Sequence, residues 1–359
     1  MTEINNFKID KIDRKILTAI ELDARIPISE LARKARTSRT VAEYRLRQFE
    51  KNGVIRGYYC LLDPSRFGLT VWKLWISLHT KSQDEKNKFF DHIKKHPRVW
   101  WYGECAGVYD AVICVLAKTP HEFNNFFNTL QDKYGSLIRD SAILMNVSFE
   151  YHTRGYLTDT QSRLIESSFQ EKPIAKEISD DAIKMLKFLS LNSRISLSDI
   201  SQKTKRNVKT IKKTIQELKK SGIIVYFRPS IDAAKLGYEY YKVLLYLHNP
   251  RGGVLPSIVY WCRLQKNITA VISCVGPWQM ELEIEIDSFK NLCKILTEMK
   301  DKFPDTIKSY DTLLITKEGN FELDLIDKVI KLSDISDTFG RLKRKMSGQE
   351  FKDSARAGW

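Results

Sequence analysis

Apolar residues recur at helical spacing at the start of the chain, then alternate in strand fashion. Ile12, Ile16, Leu17 and Ile20 place a helix over Lys11–Leu22. Ser29, ahead of Glu30-Leu31-Ala32-Arg33-Lys34, reads as the N-cap of a second helix. Thr37-Ser38 break the pattern and cap a third, Arg39–Lys51, whose apolar stripe is Ala42, Leu46 and Phe49. Gly53 ends it, and Val54–Leu62 reads as a ribbon strand or wing that stops at Asp63-Pro64. Further on, Val71–His79, Val99–Glu104, Ala111–Ala117 and Ile138–Val147 read as strands. Asp84–Lys95 and His121–Tyr134 read as helices, and the order βαββαβ is the ferredoxin-like split arrangement.

The pattern repeats. An offset of 169 positions carries Ala24-Arg25-Ile26-Pro27-Ile28 onto Ser193-Arg194-Ile195-Ser196-Leu197, and Gly53-Val54-Ile55 onto Gly222-Ile223-Ile224. It also carries Leu31 onto Ile200, Leu46 onto Ile215, Gly68 onto Gly237, Cys105 onto Cys274 and Gly107 onto Gly276. The chain is therefore expected to be α+β, with two winged helix-turn-helix modules each followed by a βαββαβ module. The expected divisions are 8–64 and 177–232 for the helical modules, and 68–150 and 236–318 for the α/β modules. A polar linker is expected at 151–176, with a helical turn around Gln161–Glu166. A C-terminal helix and basic tail are expected at 319–359.

Charge sharpens this picture. The 359 residues carry a formal net charge of +15, and the surplus gathers on the third helix of each unit. Residues 32–51 hold seven Lys or Arg against two Glu, and residues 201–220 hold eight against one. Two short helices joined by a tight turn, the second exposed and basic, form the layout that places a helix in the DNA major groove. The candidate DNA-binding residues are Ser38, Arg39, Thr40, Glu43, Tyr44 and Arg47 in the first unit. In the second they are Arg206, Asn207, Lys209, Lys212, Lys213 and Gln216. Lysine is a point charge rather than a bidentate base reader, so the second module is expected to discriminate sequence less than the first.

The sequence argues against other classes. No apolar run approaches a membrane span, and the polar start shows no secretion signal, so a cytoplasmic protein is expected. The six cysteines form no CxxC pair, so buried free thiols are expected rather than a disulfide framework or a metal site. No cofactor is expected, and no phosphate loop, HExxH or nucleophile elbow is present. Trp72, Trp75, Trp100, Trp101, Trp261 and Trp278 fall in the apolar patterns of the α/β modules and read as packing residues.

Ile12-Asp13-Arg14-Lys15-Ile16-Leu17, Asp23-Ala24-Arg25-Ile26, Glu30-Leu31-Ala32, Gly53-Val54-Ile55-Arg56-Gly57-Tyr58 and Leu62-Asp63-Pro64 with Gly68 together resemble the Lrp/AsnC ("feast/famine") regulators. The second unit resembles them more loosely and lacks the Leu-Asp-Pro ending. The resemblance implies a transcriptional regulator whose α/β module is a dimerising RAM-type domain that can bind an amino-acid effector. The family's Gly-x-Tyr-Asp loop matches Gly107, Tyr109 and Asp110, which also suit a plain tight turn. In the second unit Gln279 replaces the aspartate. Expected partners are double-stranded DNA and either a second chain or the chain's own other half, as a homodimer or an intramolecular pseudo-dimer. Two alternatives remain: a sequence-indifferent architectural or chromatin protein, favoured by the lysine-rich helix and Arg341–Lys345, and an enzyme like the siroheme decarboxylases, which share an Lrp-like fold. At the decarboxylases' His-containing segment this chain reads Trp100-Trp101-Tyr102-Gly103-Glu104-Cys105.

Overall fold

The structure is a computed structural model that describes residues 7–168, 178–248 and 253–319. The helix and tail expected after residue 319 lie outside the described residues. The chain opens with α1 (Lys11–Leu22), α2 (Ile28–Ala35) and α3 (Arg39–Lys51). Asp10 caps α1 by accepting from Ile12 and Asp13, while Asp13 reaches back to the Asp10 amide. Ser29 is not a cap. Helix α2 starts earlier, with Pro27 at its N-cap position and no side-chain cap hydrogen bond. Proline offers no acceptor, so its fixed φ sets the helix entry without the capping hydrogen bond the serine was expected to supply. Ile16, Leu17, Ile20, Leu31, Ala42, Leu46 and Phe49 bury together as the module's core.

Strand β1 (Ile55–Leu62) leads into β2 (Thr70–Leu78), α4 (Gln83–Lys95), β3 (Val99–Ala106), β4 (Ala111–Ala117), α5 (Pro120–Tyr134) and β5 (Ile138–His152). The next segment is not a loose linker. His152, Thr153 and Arg154 are buried, Gly155–Leu157 forms a 3-10 turn, and β6 (Leu164–Ser168) pairs with β5 where a helical turn was expected. Arg154 explains the burial. It bridges Glu21 of α1 at 2.7 Å and a carboxylate of the second half, Glu285, at 2.7 Å.

The second unit repeats the plan: α6 (Asp180–Leu191), α7 (Leu197–Thr204), α8 (Val208–Lys220), β7 (Ile224–Ile231), β8 (Glu239–Leu247), α9 (Val254–Leu264), β9 (Ile268–Val275), β10 (Met280–Ile286), α10 (Phe289–Lys302) and β11 (Ile307–Glu318). Although the Leu-Asp-Pro ending is missing, its function survives. Asp63 accepts from Ser65 at 2.9 Å and Asp232 from Ala234 at 3.1 Å, each capping a 3-10 turn closed by a left-handed glycine, Gly68 or Gly237.

The two units are welded by their strands. Within each α/β module the strands pair β5-β2-β4-β3 and β11-β8-β10-β9. β3 then pairs with β11 and β9 with β5, so eight strands close into one ring. Closure removes the open edges that would otherwise invite a further strand. Strand alternation sends Leu74 and Ile76 outward under α4 and α5, and Leu282 and Ile284 outward under α9 and α10. It sends Trp75, Cys105, Leu144, Leu244, Cys274 and Trp278 into a shared interior. Two buried lysines, Lys73 and Lys242, point into that interior from equivalent positions.

The strand after α3 or α8 does not fold back as a private wing. β1 pairs with β7 in a two-stranded ribbon that crosses between the units. Arg25 donates to the carbonyls of Ser193 and Ile195, and Arg194 to those of Ala24 and Ile26. Arg25 also lies over Phe227 and Arg194 over Tyr58. Every member of this clamp has its counterpart at the repeat offset. Hydrogen bonds to charged groups contribute about 1.5–3 kcal/mol each. Arg25→Ala and Arg194→Ala should therefore each lower the unfolding free energy by roughly 1.5 kcal/mol, the low end of that range. Urea denaturation followed by circular dichroism measures this, and unchanged midpoints would show that the clamp contributes nothing.

Five of the six cysteines are buried and Cys293 is exposed, which corrects the expectation that all six lie inside. Burial pushes the Cys105 thiol up to about 12 and the Cys114 thiol up to about 11. Since the thiolate is the reactive form, a disulfide reagent at neutral pH should titrate one thiol in the folded chain and six in denaturant. Rapid reaction of several thiols in the native state would contradict the ring's closed interior.

Candidate nucleic-acid interface

The reading helices are set by capping and by one greasy stripe each. Ser38 caps α3 by accepting from Val41 at 3.2 Å, and Asn207 caps α8 by accepting from Thr210 at 2.8 Å. Both candidates therefore spend a side-chain oxygen on an otherwise unpaired amide at the helix start. Ala42, Leu46 and Phe49 bury one face of α3, and Ile211, Ile215 and Leu218 bury the same face of α8.

The other candidates lie on the open faces. Arg39, Thr40, Tyr44 and Arg47 are exposed and Glu43 is half-buried; Tyr44 is 62% exposed although aromatic. Arg206, Lys209, Lys212, Lys213 and Gln216 are exposed. Some cations are partly engaged: Arg47 with Glu43 at 2.6 Å, Arg206 with Asp181 at 2.5 Å, Lys213 with Glu217 at 3.7 Å. Exposed pairs of this kind contribute little and yield readily to phosphate. Arg39, Lys209 and Lys212 form no ion pair among the described residues. Arg45 is different, since it binds Asp10 at 2.7 Å and Asp13 at 2.8 Å and staples α3 to α1.

Two cations were not singled out by sequence reasoning. Arg36 and Lys205, equivalent under the repeat, are exposed left-handed C-caps in the turn before each reading helix, at φ 57° and 55°. Non-glycine residues rarely adopt this conformation. Their equivalence at the offset was the available signal.

The loop of Gly107, Tyr109 and Asp110 is tightly committed. An Asp110 carboxylate oxygen accepts the Leu78 amide at 2.7 Å. Gln279 accepts the Leu247 amide at 2.8 Å, the same bond at the repeat offset. Gln thus replaces Asp and keeps this role. Gly107 has φ +150°, and a Cβ there would stand 3.1 Å from the Thr312 carbonyl. Tyr109 packs beside Trp75 and Trp278.

A winged helix-turn-helix DNA-binding family model matches residues 9–56 and 182–225, the helical part of each unit. The HTH-type transcriptional regulator AldR of Mycolicibacterium smegmatis is 34% identical over 119 residues, 33% of this chain and 70% of that protein. The proline dehydrogenase transcriptional activator of Rhodobacter capsulatus is 32% identical over 143 residues, 40% of this chain and 91% of that protein. This chain belongs to the Lrp/AsnC family. Each relative matches about one repeat unit, so this Lrp/AsnC chain holds the length of two. The fold is similar to that of the siroheme decarboxylase NirDL over 92% of this chain and 99% of that one, with TM-score 0.58 and 10% identity. At that identity the likeness concerns architecture alone. No helix among the described residues of this Lrp/AsnC protein is long and apolar enough to cross a membrane.

Proposed function

We propose that the chain is a sequence-specific double-stranded DNA-binding regulator, not an enzyme, that acts in the cytoplasm as an intramolecular pseudo-dimer. The observation that carries this reading is the pair of exposed cationic helices, α3 and α8, on two modules clamped together within one chain. Ring closure within the chain supports one chain doing what two subunits do elsewhere. Because the two reading faces differ, the natural site is asymmetric rather than a perfect palindrome. Arg39, Tyr44 and Arg47 are the residues proposed to read bases. The lysines of α8 are proposed to hold phosphates.

Selection of bound sequences from a random duplex pool tests this reading against an architectural role. A specific regulator should favour its selected site over random DNA by about a thousandfold or more at fixed salt. Equal affinity for selected and random duplexes would favour the architectural reading. The NirDL-like architecture has its own check. Siroheme added to the purified chain should be recovered with all its carboxyl groups, and decarboxylated product would overturn the non-enzymatic reading.

A further inference from the structure

A cavity of about 800 Å³ lies between one mouth of the strand ring and the β1–β7 ribbon. Its size falls in the range of small-molecule sites, and barrel mouths are a common place for them. Tyr59 and Arg228 line it from the ribbon, and Trp101, Asn146 and Tyr151 from the ring. Tyr59 and Arg228 are register partners across the ribbon and also equivalents under the repeat offset, so the pair sits on the pseudo-twofold axis. In an assembly of two identical chains, one residue would face its own copy there. Two arginines facing each other away from water would repel. Duplication within one chain removes that restriction and lets a single arginine stand on the axis.

That arginine lacks a full partner. Other cations around the cavity are matched: Lys242 to Glu283 at 2.6 Å, Arg154 to Glu285 at 2.7 Å, Arg56 to Glu318 at 3.3 Å, and Lys73 to Glu281. Arg228 is 5% exposed. Its acidic neighbour, Glu21, is 4.0 Å away and already held by Arg154 at 2.7 Å. Its Nε has no hydrogen-bond partner among the described residues and is itself closed to solvent, so contact from the cavity falls on the rest of the side chain. Besides Glu21, what favours the guanidinium is Tyr59, its partner across the ribbon, and the face of Tyr151, 4.7 Å away. A buried guanidinium without a full counter-charge calls for a carboxylate, which accepts in the plane of its fork. The aromatic walls call for a ring.

We infer that this cavity binds one small aromatic carboxylic acid per chain, its carboxylate on Arg228. β1 follows α3 and β7 follows α8, so a ligand wedged under the ribbon alters how the two heads are held and thereby DNA affinity. This second step rests on the DNA-binding reading; the site itself does not.

The test uses the full chain and three probes, 4-hydroxybenzoate, 4-hydroxyphenylacetate and 3-(4-hydroxyphenyl)propionate, each beside its primary amide, in a calorimeter. At least one acid should bind one per chain, and its amide at least tenfold more weakly. Arg228→Gln should weaken the acid at least tenfold. Thr316→Trp, at an exposed position on the cavity rim, should exclude it without disturbing a buried group. Absence of binding by all three acids, or equal binding in either variant, overturns the site. DNA affinity is then measured with and without the bound acid. A change of threefold or more supports the regulatory step, and equal affinity overturns it. A chain that binds the acid but no DNA would overturn the DNA reading while leaving the site standing.

Discussion

Glu281→Leu is expected to destabilise the fold by about 3–5 kcal/mol, because it strands a buried ammonium inside the ring. Glu281 is fully buried and receives the Lys73 ammonium, the Trp75 indole N–H at 3.0 Å and the Trp278 indole N–H at 3.1 Å. Lys73 is 1% exposed. Removing the carboxylate leaves three donors unsatisfied. Lys73→Met on top of Glu281→Leu should recover most of the stability, since the uncompensated charge is then gone. Equilibrium unfolding of the single and double variants measures both effects, and an additive double variant would show that the pair is not coupled.

The same pair fixes a pH dependence. Burial alone would raise the Glu281 carboxyl, but the ammonium groups of Lys73 and Lys242 overcome it and hold the group below the ordinary carboxylate range. A carboxyl with a lowered value in the folded state contributes stability above its unfolded value of about 4.5. That contribution is lost as pH falls through the lowered value. Acid unfolding of the native chain should therefore be steeper than that of the Lys73→Met, Glu281→Leu double variant.

The second large effect concerns DNA. Reversing Arg39 and Arg47 to glutamate places two repulsive charges where two attractive ones stood on α3. Each phosphate that is no longer neutralised reduces the slope of log affinity against log salt by about 0.9. A change of roughly a hundredfold or more is expected at low salt, at about 1–3 kcal/mol for each base interaction removed. Reversing Lys209 and Lys212 on α8 should flatten the salt dependence with less change in sequence preference. Fold is unaffected in both cases, because these side chains are exposed and lie outside the cores. Identical weakening on all sequences for both variants would contradict the division of labour between the heads.

The sequence made local structure legible and hid what crosses between units. Helix α3 and strand β4 fall on the expected residues, because Ser38 caps and an unbroken apolar run are local signals. The pairing of β1 with β7, and of β5 with β9, depends on edges that no single strand's pattern discloses. β5 runs past its expected end at Val147 to His152 because that extension is what meets β9 and β6. Arg154 and Arg228 escaped notice for a related reason. One sat in a stretch that read as polar linker, the other in a strand whose partner was unknown. The exposed cationic faces of α3 and α8 were visible from charge and stripe alone, but Arg45 was separable from its neighbours only by its bonds to Asp10 and Asp13.

Hydroxyl-radical footprinting of a single bound chain on its selected duplex tests the two-headed account most directly, with stoichiometry fixed by sedimentation. Two protected patches on one face of the duplex are predicted, separated by about one helical turn of ~34 Å or a multiple of it. The α8 reversal should erase one patch and spare the other. A single patch, or two that ignore α8, would contradict the account.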